Sequence, residues 1–107
     1  MADDVLAQLA ATIHARRSAS SDSSYTRQLL DAGPVKCAKK LGEEAVETVM
    51  AGAGESAERL KEEAADLLYH LLVLLEAREV AVADVLAVLE RRMGTSGLKE
   101  KAERGKR

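Results

Sequence analysis

Acidic side chains recur at three-residue spacing in two stretches of this 107-residue chain. Glu44 and Glu47 form one pair, and Glu63 and Asp66 form the other. Residues three apart lie on the same side of an α-helix, so each stretch would place two carboxylates close together. A hard divalent cation would relieve their repulsion, because it prefers carboxylate oxygens and commonly accompanies phosphate. The spacing therefore indicates a metal site that serves phosphate chemistry.

The same acids have a second interpretation in which no metal takes part. Charged helix faces that are solvated often contain such spacings, and Lys40 could form an ion pair with Glu44 worth a few tenths of a kcal/mol. The residues after Asp66 are almost all apolar, however, so we expect Asp66 to be substantially buried. Buried acids normally have a charged partner or a bound cation, which favours the metal site.

The types of the candidate ligands narrow the choice of metal. Carboxylate oxygens suit Mg²⁺ or Mn²⁺, and the sequence has no Cys/His constellation for zinc. His70 is not part of a repeated Glu-x-x-His motif, so we expect it to pack in the core with a hydrogen bond, for which a neighbouring acid is one candidate partner. Lys36 and Lys40 precede Glu44 by two helical turns and one turn, and are candidate phosphate ligands. A Walker A loop is absent from the sequence.

Composition limits the class of protein. Hydrophobic residues make up 47% of the chain, with no Phe or Trp and a single Pro, which suits closely packed helices of Leu, Val and Ala. The net charge of −2 gives no basic field for a nucleic-acid partner. Cys37 is the single cysteine, which fits a reducing compartment. With no signal peptide and no apolar run of about 20 residues, we expect a cytoplasmic protein without a membrane partner.

Helical periodicity and capping residues predict one all-α domain over residues 1–107, a bundle of four to five helices. Ser24 and Ser56 are the expected N-caps of two of them, and a helix boundary is expected at Gly33 and Pro34. Gly52, Ala53 and Gly54 are expected to form the turn between the two acid-bearing helices. The predicted order is a first helix with a serine-rich loop over 1–23, helices over 25–32, 34–51 and 57–78, a last helix that ends at about 93, and a basic tail over 95–107.

The helix predicted over 57–78 is apolar on nearly every face from Ala64 onward. Such a helix must be enclosed by neighbours, and so short a chain has few helices to enclose it. We therefore expect a homodimer that completes the bundle. For the basic tail, a solvated end and a segment that folds over an anionic ligand both stay open.

A longer motif around the acids resembles a known family. Glu43-Glu44-x-x-Glu47 followed by Glu63-x-x-Asp66 resembles the signature of the all-α nucleotide pyrophosphatases, the MazG-like superfamily. The surrounding residues are more similar to its phosphoribosyl-ATP pyrophosphatase branch, which acts in histidine biosynthesis. The matching stretches, within residues 24 to 104, are Ser24-Tyr25-Thr26, Leu29-Leu30, Gly33-Pro34, Lys39-Lys40-x-Gly42-Glu43-Glu44-Ala45-x-Glu47, Glu62 through Leu75, and Ser96-Gly97-Leu98-x-Glu100-Lys101-Ala102.

This resemblance implies Mg²⁺-dependent hydrolysis of phosphoribosyl-ATP to phosphoribosyl-AMP and pyrophosphate, with Mn²⁺ as a possible substitute. By the family pattern, Glu44, Glu47, Glu63 and Asp66 would be the metal ligands. The catalytic candidates are Glu43 and Glu44. Glu43 would be either an acid behind the ligands or a base that orients the attacking water.

Charge and position suggest the contacts with the nucleotide substrate. Lys36, Lys40 and Lys99 are the expected phosphate ligands, and Thr26 is a weaker candidate for the same site. The zinc-binding residues of a fused phosphoribosyl-AMP cyclohydrolase are absent, so we expect no second enzymatic step.

Two other functions compete with this interpretation. One is a house-cleaning pyrophosphatase that acts on free or damaged nucleoside triphosphates, and the other is a non-catalytic helical dimer module whose acids are merely solvated. Pyrophosphate release from phosphoribosyl-ATP but not from dUTP or dCTP would separate the first from the leading hypothesis. An unchanged activity in Glu63→Gln and no Mg²⁺ binding would favour the second.

Overall fold

Helices account for the regular structure in the computed structural model, which describes residues 2–94, 101 and 103–105, without the side chains of residues 2–4. Within these residues there is no strand, so the all-α prediction is confirmed. In that part, no helix is long and apolar enough to cross a membrane. The elements are α1 (Ala2–Ala15), a 3-10 turn (Arg16–Ser18), α2 (Tyr25–Ala32), α3 (Pro34–Gly54), α4 (Ala57–Ala77) and α5 (Val82–Met93).

The two long helices α3 and α4 form a hairpin and make the most extensive interhelical contact in the described chain. The predicted turn over residues 52–54 was wrong, because those residues continue α3 and the chain reverses at Glu55 and Ser56. The Ser56 hydroxyl accepts a hydrogen bond from the Arg59 amide at 3.2 Å and so caps α4 at once. Because this cap starts α4 at Ala57, Glu55 and Ser56 alone connect the two helices. Gly52 and Gly54 therefore remain helical, at a cost of about 1 kcal/mol each.

The short helix α2 leads into α3 through a glycine. The Ser24 hydroxyl accepts a hydrogen bond from the Arg27 amide at 3.1 Å, which caps α2 as predicted. Gly33 has φ = 95°, a conformation that side chains disfavour, and Pro34 begins α3 directly after it. The predicted boundary between these helices is therefore confirmed.

The core is small and draws on four helices. Its fully buried members are Ile13, Leu29, Cys37, Leu72 and Val73. The Cys37 thiol donates a hydrogen bond to the carbonyl of Leu29 at 3.2 Å, and burial raises the pKa of that thiol. Cys37 therefore has a packing role, which joins α3 to α2.

The serine-rich loop is fastened to α2. The Arg27 guanidinium donates to the carbonyls of Arg17 and Ala19, each at 2.7 Å. The Gln28 amide donates to the carbonyl of Ser21 at 2.7 Å. The loop is thus held by charged and neutral hydrogen bonds to its own backbone, and is more than a free linker.

An ionic contact joins the end of α1 to the end of α4. The Glu76 carboxylate accepts hydrogen bonds from the side chains of Arg17 and His14, and Arg17 also donates to the Glu76 carbonyl at 2.6 Å. Burial alone would raise the pKa of Glu76, but the bonds from Arg17 and His14 outweigh it and lower that pKa. A lowered pKa means that the folded state stabilises the charged carboxylate.

Glu76→Gln is expected to lower the free energy of unfolding near pH 7 by about 1 kcal/mol, a value kept small because Arg17 is 40% exposed. The stabilisation is present above the carboxyl pKa of the unfolded chain and is lost as pH falls through the folded pKa. Urea denaturation at pH 7 and at pH 3.5 measures both effects. Glu79→Gln, an exposed neighbour, is the control. An equal loss at both pH values would contradict this assignment.

Candidate metal centre

The hairpin of α3 and α4 brings three carboxylates together. One oxygen from each of Glu44, Glu63 and Asp66 lies within 4.8 Å of the others. Glu44 is contributed by α3, and the other two by α4, so the convergence depends on the antiparallel packing of the two helices. Three of the four acids proposed from the sequence therefore meet at one place.

The burial of these acids differs from the expectation. Glu63 is only 6% exposed and Glu44 is half-buried, whereas Asp66 is exposed in the single chain. The prediction of a buried Asp66 was wrong, because Glu63 faces α3 and Asp66, nearly a full turn further along α4, lies at the rim of the contact. The apolar run after Asp66 does not cover its side chain.

Two of the carboxylate oxygens are buried without a protein partner. Glu44 Oε2 and Glu63 Oε2 accept no hydrogen bond from any residue in the described part of the chain. Leaving a buried charged oxygen unpartnered costs several kcal/mol, so a ligand that pairs with both is strongly favoured. An all-oxygen donor set fits Mg²⁺ or Mn²⁺, and the residues present therefore fit the cation expected from the sequence.

Glu47 lies near Glu44 and Glu63 but outside the group of three converging carboxylates. The pKa of Glu47 is raised, chiefly by its interaction with the neighbouring carboxyl of Glu44, whose charge opposes a second negative charge close by. Glu63 and Arg59 act on this pKa in the opposite direction. Glu47 thus interacts with two members of the cluster, and its role as a fourth carboxylate stays a prediction.

A threonine fixes the two helices at the level of the acids. Thr48 Oγ1 lies 2.8 Å from the carbonyl oxygen of Glu44 and 3.1 Å from that of Glu63. Its single hydrogen can be donated to either oxygen, within α3 or across to α4. Thr48 therefore contacts the backbone of both helices at the residues that carry two of the acids, Glu44 on α3 and Glu63 on α4. The sequence analysis missed this residue, although a threonine four residues after Glu44 is typical of such back-bonding.

An arginine completes the surroundings of Glu63, and it was also missed. Arg59 Nη2 donates to Glu63 Oε1 at 2.7 Å. The same guanidinium contacts Glu55 at 3.4 Å and Glu62 at 3.7 Å. The signal in the sequence was the four-residue spacing of Arg59 and Glu63, which places their side chains in reach of each other on a helix.

Lys40 pairs with a different acid from the one considered. Its Nζ lies 3.2 Å from Glu43 Oε1, so the suggested pair with Glu44 was wrong. The hydrogen bond to Glu43 is the largest cause of the raised pKa of Lys40, and the electrostatic interaction with Tyr25 is the next largest. Among the described residues Glu44 is thereby left without a lysine in ion-pair distance, while Glu43 is half-exposed and pairs with Lys40.

His70 packs between two tyrosines. It is buried, with its ring centroid 6.2 Å from that of Tyr25 and 5.0 Å from that of Tyr69, both in edge-on geometry. Burial, and then the charge of Lys40, lower the pKa of His70, which keeps the ring neutral at pH 7. The core position was predicted correctly. The expected hydrogen bond to an acid does not occur within the described residues, where Nδ1 has no partner.

The remaining substrate contacts stay predictions. The Thr26 hydroxyl is hydrogen-bonded to that of Tyr69, on the α4 turn that follows Asp66. Lys36 is exposed in the first turn of α3. Lys99 lies outside the described residues, as does most of the predicted tail.

The all-α hairpin of α3 and α4 thus places three carboxylates close enough together for one divalent cation. A family model described as phosphoribosyl-ATP pyrophosphohydrolase matches residues 6–93. The chain belongs to that family, and the resemblance inferred from its motif is confirmed.

Curated relatives support the same assignment over nearly the full chain. A protein of Cereibacter sphaeroides named phosphoribosyl-ATP pyrophosphatase is 58% identical over 101 residues, which cover 94% of this chain and 98% of the relative. Proteins of the same name from Dinoroseobacter shibae and Ruegeria pomeroyi are 59% and 53% identical. The alignment with the Dinoroseobacter shibae protein covers 94% of this chain and 98% of the relative. The alignment with the Ruegeria pomeroyi protein covers 95% of this chain and 97% of the relative.

Proposed function

We propose that this chain is a hydrolase that converts phosphoribosyl-ATP to phosphoribosyl-AMP and pyrophosphate in histidine biosynthesis. Family membership and the names of the relatives support the substrate and the reaction. The observation that carries the chemistry is the pair of buried, unpartnered oxygens on Glu44 and Glu63, which lie beside Asp66. The expected cytoplasmic location stays a prediction.

The proposed cation site consists of Glu44, Glu47, Glu63 and Asp66. Mg²⁺ is the expected ion, with Mn²⁺ as a substitute, because the donors are all carboxylate oxygens. When bound there, the ion would neutralise phosphate charge and lower the pKa of an attacking water. The α3–α4 hairpin supplies the geometry, since it holds ligands from both helices within 4.8 Å.

The other polar residues are assigned to the substrate and the water. Lys40, cationic and one turn before Glu44, is proposed to hold a phosphate, and Glu43 holds Lys40 in place through their 3.2 Å contact. Glu44 or Glu43 would accept the proton of the water that attacks between the α and β phosphorus atoms. The proposed further phosphate contacts are Lys36, Lys99 and Thr26.

The direct test of this function is a comparison of substrates. With Mg²⁺ present, the chain is incubated separately with phosphoribosyl-ATP, dUTP and dCTP, and the released pyrophosphate is measured. Release from phosphoribosyl-ATP alone is expected. A higher kcat/KM for dUTP or dCTP would establish a house-cleaning pyrophosphatase instead, and no release from any of them would leave a non-catalytic module.

We also propose that the chain acts as a homodimer through one face of α3 and α4. Six small or apolar residues on α3 are exposed and spaced three or four apart, so they lie on one side of the helix. Leu68 on α4 is likewise exposed, and its neighbours are only half-buried. A second copy of the same face would close these helices into a four-helix bundle. The α3 residues are Val35, Ala38, Gly42, Val46, Val49 and Ala53.

Val49→Glu is expected to convert the dimer to a monomer, because it places a charge in the middle of the proposed apolar interface. Val49 is 69% exposed in the single chain, so the substitution leaves the core intact. Sedimentation velocity measures the change, and Leu89→Glu, at a 49% exposed site on α5, is the control. A wild-type chain that sediments as a monomer would refute the interface.

A further inference from the structure

The two oxygens of Glu63 have different surroundings. Oε1 accepts a hydrogen bond from Arg59 at 2.7 Å, whereas Oε2 is buried and accepts none from the described residues. The side chain of Glu63 is almost fully enclosed, and the charge-assisted hydrogen bond from Arg59 restricts the rotation of its carboxylate. Oε2 is therefore free of partners among the described residues, whereas a cation that took both oxygens of Glu63 would have to compete with Arg59 for Oε1.

The guanidinium that donates to Oε1 also contacts two further acids. Besides Glu63, Arg59 contacts Glu55, which follows the last residue of α3, and Glu62 on its own helix. A planar guanidinium has its donors in fixed directions, and contacts with three acids restrict its movement. Arg59 thus bridges the α3–α4 connection and holds one cluster acid in a defined orientation. It touches that acid and not the reacting atoms, which makes it a positioning residue.

The number of free oxygens decides which cation fits. Mg²⁺ requires a small octahedral shell of about six oxygens, whereas Ca²⁺ takes six to eight and readily accepts both oxygens of one carboxylate. We propose that the hydrogen bond from Arg59 to Oε1 disfavours a contact of both Glu63 oxygens with one cation and thereby makes the cluster select Mg²⁺ over Ca²⁺. This inference rests on the proposed cation site.

Geometry and charge have separable effects in this proposal. Loss of the Arg59 charge alters the attraction for Mg²⁺ and Ca²⁺ almost equally, because both ions carry two positive charges. Release of Glu63 Oε1, in contrast, favours only the ion that accepts two oxygens from one carboxylate. The ratio of the two dissociation constants therefore reports the orientation of Glu63 independently of the charge.

The test is isothermal titration calorimetry of the full chain with MgCl₂ and with CaCl₂, in the absence of nucleotide, which gives a dissociation constant for each ion. Arg59→Met is expected to reduce the preference for Mg²⁺ over Ca²⁺ by about tenfold, the scale found for residues that orient metal ligands. Lys61→Met removes the same charge from the same helix, and Lys61 pairs with the exposed Glu58 at 2.9 Å. The control should therefore leave the ratio unchanged.

Each other outcome overturns a defined part of the proposal. If both dissociation constants of Arg59→Met change by the same factor, Arg59 acts through its charge and the inference is wrong. If the wild-type chain binds neither ion, the cation site and the inference fail together. If circular dichroism shows that Arg59→Met is unfolded, Arg59→Gln replaces it; the same fall in the ratio is expected, and an unchanged ratio refutes the role of Arg59.

Discussion

Glu63→Gln is expected to reduce kcat/KM for phosphoribosyl-ATP by about a thousandfold, which corresponds to about 4 kcal/mol of transition-state stabilisation. The substitution replaces a carboxylate that is proposed to hold the cation by a neutral amide, at the most buried acid of the cluster. Steady-state pyrophosphate release at several Mg²⁺ concentrations measures the effect. A higher Mg²⁺ concentration should recover only part of the activity, because the amide is also a poorer ligand.

Glu62→Gln is the matched control for this substitution. It is the same chemical change at the preceding residue, whose side chain is 67% exposed and contacts Arg59 at 3.7 Å. Its kcat/KM should stay within about threefold of the wild-type value, since exposed ion pairs contribute at most about 1 kcal/mol. Equal losses in the two variants would show that the overall negative charge of this part of α4, and not the carboxylate cluster, supports the reaction.

Leu72→Ala is expected to lower the free energy of unfolding by about 3 kcal/mol, the usual cost of a cavity left by a buried leucine. Leu72 is 5% exposed and packs with Val73 in the core cluster that also includes Ile13 and Leu29. Since domains of this size are stabilised by only about 5–15 kcal/mol, the loss is a large fraction of the total. Urea denaturation monitored by circular dichroism measures it.

The comparison for this core variant is Leu89→Ala on α5. Leu89 is 49% exposed, so its truncation should cost less than about 1 kcal/mol. Both variants are compared at the same protein concentration, because dimerisation would contribute to the apparent stability. A Leu72→Ala variant as stable as Leu89→Ala would contradict the described core.

Local signals in the sequence predicted most of the helices. Helix caps and boundaries act through hydrogen bonds and dihedral angles within a few residues, as at Ser24, Ser56 and Gly33–Pro34. They can therefore be predicted without knowledge of the rest of the fold. The end of α3 was misplaced because glycine is compatible with both a helix and a turn. The position of the next cap decided between them.

The candidate site was predictable only in part, for a related reason. The spacing of the acids fixes their positions around each helix, which is why Glu44, Glu63 and Asp66 could be expected to converge. The rotation of α4 against α3 is set by packing, so the burial of Glu63 in place of Asp66 could not be derived. The cross-helix bond of Thr48 depends on the same packing and was missed as well.

The central claim is that four carboxylates of α3 and α4 hold the cation at which phosphoribosyl-ATP is hydrolysed. Crystals of the chain grown with Mn²⁺ test it most directly, because anomalous scattering locates the ion without reference to the protein. The account predicts a Mn²⁺ peak between Glu44, Glu63 and Asp66, with Glu47 in reach. Its absence from that cluster, with Mn²⁺ bound instead at exposed acids such as Glu58, would contradict the claim.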